Sequence, residues 1–213
     1  MKKLFIVLLS IGSYFNAFSQ EKGSFELGIV GGYNGATVTA NTATNSTLVS
    51  GFNAGIFGDY FFSDRWSIKG KLSYDQKGWG NGYFTTTFND QNYQQDFNFD
   101  HVDYHLDYLT IPIMANWHFG RKRNWYLNFG PYAGFLLSAD QTATQYPELK
   151  EYFNKIDAGL AFGIGVKIPI SSKVKILFEL DAQAGVTDIG KGNQSAVIRN
   201  SRSSYNTGLV FDL

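Results

Sequence analysis

From about residue 25 onward, hydrophobic and polar residues alternate in runs of roughly ten, a period of two that marks strands rather than helices. Eight runs stand out, near Phe25–Tyr33, at Gly51–Phe61, Trp66–Lys77, Asp107–Phe119, Trp125–Leu137, Ile156–Ile168 and Val174–Val186, and from about Ser203 to the end. In the seventh, Val174, Ile176, Phe178, Leu180, Ala182 and Ala184 oppose Lys175, Glu179, Asp181, Gln183 and Gly185. Pro112 falls inside the fourth run and predicts a bulge or a weakened ladder there. After residue 20 no apolar run approaches the ~20 residues of a spanning helix.

The connections alternate as well. Ser63-Asp64, Gly120–Asn124 and Ile170–Lys173 are short, whereas Asn34–Ser50, Gly78–His105, Ser138–Lys155 and Asp188–Arg202 are long and rich in Asn, Thr, Gln, Ser and Asp. Short turns at one end and long polar loops at the other describe an all-β, eight-stranded antiparallel up-and-down transmembrane β-barrel, with short periplasmic turns and long extracellular loops. Aromatic residues predict two interfacial belts. Tyr60, Phe61, Phe62, Trp66, Trp117, Phe119, Trp125 and Phe211 lie near the turns. Tyr74, Trp79, Tyr104, Tyr108, Phe135 and Tyr205 lie near the loops. A soluble barrel is the competing fold, because alternation alone does not say which face is inside. The large aromatic-edged apolar faces, set against polar faces of glycine and mixed charge, favour lipid outside.

The N-terminus has its own pattern. Met1-Lys2-Lys3 precedes an apolar stretch over Leu4–Phe15 and the small-residue pattern Ala17-Phe18-Ser19. This is the layout of a secretory signal peptide over residues 1–19, cleaved between Ser19 and Gln20, with the barrel domain over 20–213.

Composition adds exclusions. The chain has no cysteine, which removes disulfides, thiolate metal sites and a cysteine nucleophile. Lys+Arg and Asp+Glu are both 18, so no basic footprint for nucleic acid exists. The predicted inward list holds Glu26, Asp59, Asp75, Asp157, Glu179, Asp181 and Asp212, with Lys69, Lys71, Lys77, Lys167 and Lys175. An eight-stranded barrel closes on its own side chains, so these charges are expected to pair as a plug rather than line an ion path.

The loop Gly78–His105 holds Trp79, Tyr83, Phe84, Phe88, Tyr93, Phe97 and Phe99 among polar residues. Parts of it alternate, so strands three and four are expected to run on as a protruding hairpin. The stretch Trp79–Phe99 is either a protein-partner surface or a cap folded on the barrel. His101, Asp103, His105 and Asp107 fall on alternate positions and would share a strand face; a solvated face is expected rather than a metal site. Tyr146–Phe153 predicts one or two helical turns starting at Pro147. Of the three histidines, His118 reads as a residue of the periplasmic interface. His101 and His105 lie in the outer loop with no serine placed beside them by spacing. Ser73 and Ser138 are the candidate rim hydroxyls. Without a nucleophile–base pair, a hydrolytic barrel is disfavoured. Catalytic, cofactor and metal residues are expected to be none, with membrane lipid as the surrounding partner and no small-molecule substrate.

Three stretches carry a family resemblance: GFNAGIFGDYFFSDRWSIKGKLSYDQKG at 51–78, DYLTIPIMANWHFG with WYLNFGPYAGFLLSA at 107–139, and DAGLAFGIGVKI at 157–168. They resemble the PorT-like outer-membrane β-barrel domain family common in Bacteroidetes. The family often has acidic residues where Thr110 and Asn128 stand here, so any charge network built there is not carried over. The resemblance implies an eight-stranded outer-membrane barrel without a catalytic motif, and its founding member is associated with protein secretion. A component or accessory of an outer-membrane assembly is therefore expected, with a free-standing barrel displaying loops for adhesion or envelope integrity as the alternative.

Overall fold

The computed structural model describes residues 22–41, 46–90, 93–142, 149–191 and 197–213; over 82–90 and 93–101 it describes the backbone. The predicted signal peptide and its cleavage point lie outside the described residues.

The strands are β1 (Phe25–Ala40), β2 (Val49–Phe61), β3 (Trp66–Asp90), β4 (Tyr93–Phe119), β5 (Trp125–Gln141), β6 (Ile156–Pro169), β7 (Val174–Gly185) and β8 (Ile198–Asp212). Each pairs antiparallel with its neighbour in chain order, and β8 pairs with β1 from Glu26↔Asp212 to Ala40↔Ile198, closing the barrel. Closure leaves no strand edge unpaired within the lipid span, which hydrocarbon demands.

The faces follow the predicted alternation, inverted relative to a soluble protein. Leu27, Ile29, Ile56, Ile68, Ile113, Phe129, Phe162 and Leu180 point outward and are exposed. The predicted inward charges are buried, apart from Asp212, which is partly exposed at the rim.

Four of the aromatic residues assigned to the belts are corrected. Phe61 is fully buried inside the turn end, and Trp79, Tyr104 and Tyr108 are buried inside the loop end. Of the other assigned residues, Tyr60, Phe62, Trp66, Trp117 and Trp125 at the turns and Phe135 and Tyr205 towards the loops are exposed on the outer surface as expected, and Tyr33 and Phe52 join them at the loop end.

Pro112 causes no bulge. Pairing with β3 is interrupted between Gly70↔Ile113 and Ser73↔Thr110, but the register is unchanged across the gap. The weakened ladder, not the bulge, is the consequence of the missing N–H. The register shift in this region falls between Asp107 and Tyr108 on β4, where β5 carries one extra residue.

Candidate functional site

Inward positions follow a size rule before they follow a charge rule. Gly28, Gly165 and Gly159 are the cross-strand partners of Phe57, Tyr126 and Tyr132. A β-carbon at any of the three glycines would run into the partner's ring. Each glycine thus leaves room for an aromatic ring to lie across the narrow lumen, the small-and-large packing of a small barrel interior.

The rings in turn flank lysines. Lys69 Nζ stands 4.6 Å from the Phe57 ring centre and 5.2 Å from that of Tyr126. Lys77 Nζ stands 4.4 Å from Tyr132 and 5.2 Å from Tyr108. Lys167 lies between Phe61 and Tyr126. Cation–ring contact stabilises a desolvated ammonium but does not neutralise it, and carboxylates complete each site.

Most of the carboxylates come from other walls of the barrel, and Asp212 and Asp181 from the strand next to their partner. At the turn end, Lys167 bonds Glu26 and lies 2.8 Å from Asp59, while Lys175 reaches Glu26 at 2.6 Å and Asp212 at 2.7 Å. At mid-height Lys69 meets Glu179 at 2.6 Å, and Glu179 also accepts from the Tyr126 hydroxyl and the Asn128 amide. Above them Arg202 spans Asp75 and Asp181, and Lys77 pairs with Asp157. Asn34, Asn53 and Asn206 link by side-chain hydrogen bonds beside Asp75. These bonds cross the lumen at every level, so the interior is a filled, mutually neutralising network.

The polar neighbourhood of Arg202 predicts a loop. Arg202 is in fact inward on β8, buried and paired twice. The signal was present in Ile198-Arg199-Asn200-Ser201-Arg202, where Asn200 and Arg202 share the alternate positions of Ser204 and Asn206. His118 is a second correction. It is buried in the lumen rather than at the interface, with Ser67 Oγ 2.8 Å from its Nε2 and the Phe61 ring centre 4.8 Å away. The Ser–His distance suits a nucleophile and a base, yet both side chains are fully enclosed, so a substrate has no approach. The candidate hydroxyls Ser73 and Ser138 meet no histidine: Ser73 donates to the Thr110 carbonyl and Ser138 to Asp107.

Above the ion network the interior turns apolar. Val38, Trp79, Val102, Tyr104, Leu106, Tyr108, Leu136, Ala139, Leu149, Phe153 and Ile189 form one cluster at the loop end. Trp79 stacks on Tyr104 at 4.6 Å and meets Phe153 edge-on at 6.0 Å. Leu149 and Phe153 are delivered by a single 3-10 turn, Leu149–Tyr152, within the stretch predicted to hold one or two helical turns; Pro147, its expected start, lies outside the described residues. That turn is clasped to the last loop, where Asn154 donates its amide to the Asp188 and Gly190 carbonyls. Trp79 is therefore part of a cap and not a partner surface. Tyr104 lies beyond the outward apolar band, and burial pushes its phenol up to about 12.

Of the alternating His/Asp positions, Asp103, His105 and Asp107 share one face, as their spacing predicts. Val102, Tyr104, Leu106 and Tyr108 point inward, which leaves Asp103, His105 and Asp107 on the outer face, half-exposed. Asp103 accepts from the Asn81 backbone N–H and Asp107 from Ser138. The side chain of His101 lies outside the described residues. Among the described residues no three of His, Asp and Glu come close enough to hold a metal ion.

Beyond the cap, β3 and β4 continue as a pair to Asp90↔Tyr93. β5 meets β4 no further than Tyr104, and β2 leaves β3 at Asp75 apart from an isolated bridge at Gly80. About ten residues on each strand project past their neighbours, roughly 30 Å at ~3.3 Å per residue. The register puts positions 84, 88, 93, 97 and 99, all Phe or Tyr, on one face and Thr85, Thr87, Asp96 and Asn98 on the other. The aromatic side chains predicted for this loop, Tyr83 to Phe99, lie outside the described residues.

A family model described as outer membrane protein beta-barrel domain matches residues 18–190. The chain belongs to this family. It is an outer-membrane protein, and the exposed apolar band is its lipid contact. Solved structures of similar fold include Neisserial surface protein A (13% identity, 87% of this chain and 96% of that chain, TM-score 0.49). OprG from Pseudomonas aeruginosa matches at 13% identity, over 91% and 98% of the two chains, with TM-score 0.48. The attachment invasion locus protein Ail of Yersinia pestis matches at 15% identity, over 90% and 99%, with TM-score 0.44. No curated protein sequence matches the chain.

Proposed function

We propose that this outer-membrane barrel is a non-enzymatic, closed anchor that holds the β3–β4 hairpin clear of the membrane as the contact surface for a protein partner. The observation that carries this reading is the contrast between strands. β3 and β4 have 25 and 27 residues, against 12 to 17 for the others. A filled lumen leaves the outer surface as the place for function. The hairpin adds a chemistry: from Gly78 to Gly120 there are five acids, Asp90, Asp96, Asp100, Asp103 and Asp107, and no lysine or arginine. An aromatic face beside acids fits a partner with apolar and basic side chains.

The PorT-like resemblance makes the partner a component of an outer-membrane assembly, a secretion apparatus by family. A leader over residues 1–19 fits delivery by the general export route. The test is isolation of the tagged full-length protein from native outer membranes in mild detergent after light cross-linking, beside a variant lacking residues 82–101. A stoichiometric partner lost with the hairpin supports the reading. A clean monomer overturns it and assigns the barrel to free-standing display, for adhesion or envelope integrity.

A further inference from the structure

The rim at the short turns is strongly cationic. Among the described residues it carries Lys22, Arg65, Arg121, Lys122, Arg123 and Lys173 against Asp64, while Asp212 is engaged by Lys175. Four of the six cations gather on one side. The β2–β3 turn supplies Arg65 and the β4–β5 turn supplies Arg121, Lys122 and Arg123. Arg123 binds Asp64 at 3.4 Å, and the His118 backbone N–H donates to the Arg65 carbonyl at 2.7 Å, so the two turns are tied together. With Asp64 counted, this corner carries a formal charge of 4 − 1 = +3.

Directly on the lipid side of the same corner lies an aromatic platform. Trp66 and Trp117 are cross-strand partners, Trp117 stacks on Phe119 at 5.4 Å, and Phe119 meets Trp125 at 6.4 Å. Trp66, Trp117 and Trp125 are exposed. Indole rings at this level mark the headgroup layer, so the four cations stand where lipid phosphates lie. We infer that Arg65, Arg121, Lys122 and Arg123, above the Trp66–Trp117–Trp125 platform, form a binding site for the phosphate group of an anionic phospholipid in the periplasmic leaflet. Arginine donates in pairs to phosphate oxygens, and the indoles pack the glycerol and upper acyl region. An acidic periplasmic protein would use the cations but not a platform that faces hydrocarbon, and for that reason lipid is the assigned ligand.

The test uses full-length protein in nanodiscs of phosphatidylglycerol and phosphatidylcholine, followed by mild detergent extraction and measurement of retained lipid. The wild type is expected to retain phosphatidylglycerol over phosphatidylcholine by about tenfold. R121Q/K122Q brings this near parity. K22Q/K173Q removes the same charge elsewhere on the rim and leaves it within about twofold, and R121K/K122R also preserves it. Equal loss in R121Q/K122Q and K22Q/K173Q overturns the site in favour of a diffuse rim field. Displacement of the lipid by millimolar inorganic phosphate overturns the headgroup as ligand. Absence of any preference in the wild type overturns the proposal and leaves the cations to an acidic protein.

Discussion

Lys69 on β3 and Glu179 on β7, diametrically opposed in the barrel, meet at 2.6 Å in the middle of the lumen. Neither side chain is reached by solvent to any extent. The bond is a cross-brace, and its two ends are not equivalent. Glu179 keeps the Tyr126 hydroxyl and the Asn128 amide if Lys69 is removed. If Glu179 is removed, Lys69 loses its direct carboxylate bond and keeps the faces of Phe57 and Tyr126 and the more distant charges of Asp59 and Asp181.

E179M is therefore expected to cost about 3–5 kcal/mol of unfolding free energy, the range for leaving a buried charge unpaired. K69M costs less. Urea unfolding of the lipid-reconstituted protein gives both values. Equal costs would contradict the asymmetry.

G165A is expected to destabilise by about 1–3 kcal/mol, because the added methyl overlaps the Tyr126 ring and forces it off its rotamer. Y126A/G165A removes the clash, and G165A then costs less in the Y126A background. A double-mutant cycle measures that coupling.

The cap gives a third expectation. W79A removes the ring stacked on Tyr104 and packed against Phe153, and costs about 3–5 kcal/mol. The 3-10 turn Leu149–Tyr152 is seated on this cluster, so proteolysis near it accelerates in the variant. An unchanged cleavage rate would separate the turn from the cap.

Tyr104 supplies a pH dependence. Its phenol ionises near 10 in the unfolded chain and about 12 in the fold. Between these values the native state holds a proton that the unfolded state has lost. Its contribution is full below pH ~10 and is lost as pH rises towards 12. Wild type loses stability over that window more steeply than Y104F, and stability against pH in the two proteins checks it.

Much of this architecture was legible as alternation, because the outward residues in lipid are almost all apolar. Phe162 and Ile164 could not be polar, and Gly163 and Gly165, alternating with them, had to face a crowded lumen. The signal failed where that constraint ends. β1 and β8 run on to Ala40 and back to Ile198 through Thr37, Thr39, Arg199 and Ser201, residues that read as loop because no lipid faces them. The same loss hid Arg202. Trp79, Tyr104 and Tyr108 misled differently: the interior itself turns apolar above Lys77, so these three point in, although Phe135 and Tyr205 near the same end point out. The tie between the two basic turns was not legible, since it depends on β3 lying beside β4.

Closure of the lumen is the claim on which the anchor reading stands. Single-channel recording in planar bilayers tests it most directly. The wild type is predicted to give no stable unitary conductance at neutral pH, because ion pairs cross the lumen at each level and the Trp79–Tyr104 cap covers it. A steady, reproducible conductance step from the folded wild type would contradict the account and make the charged interior a path.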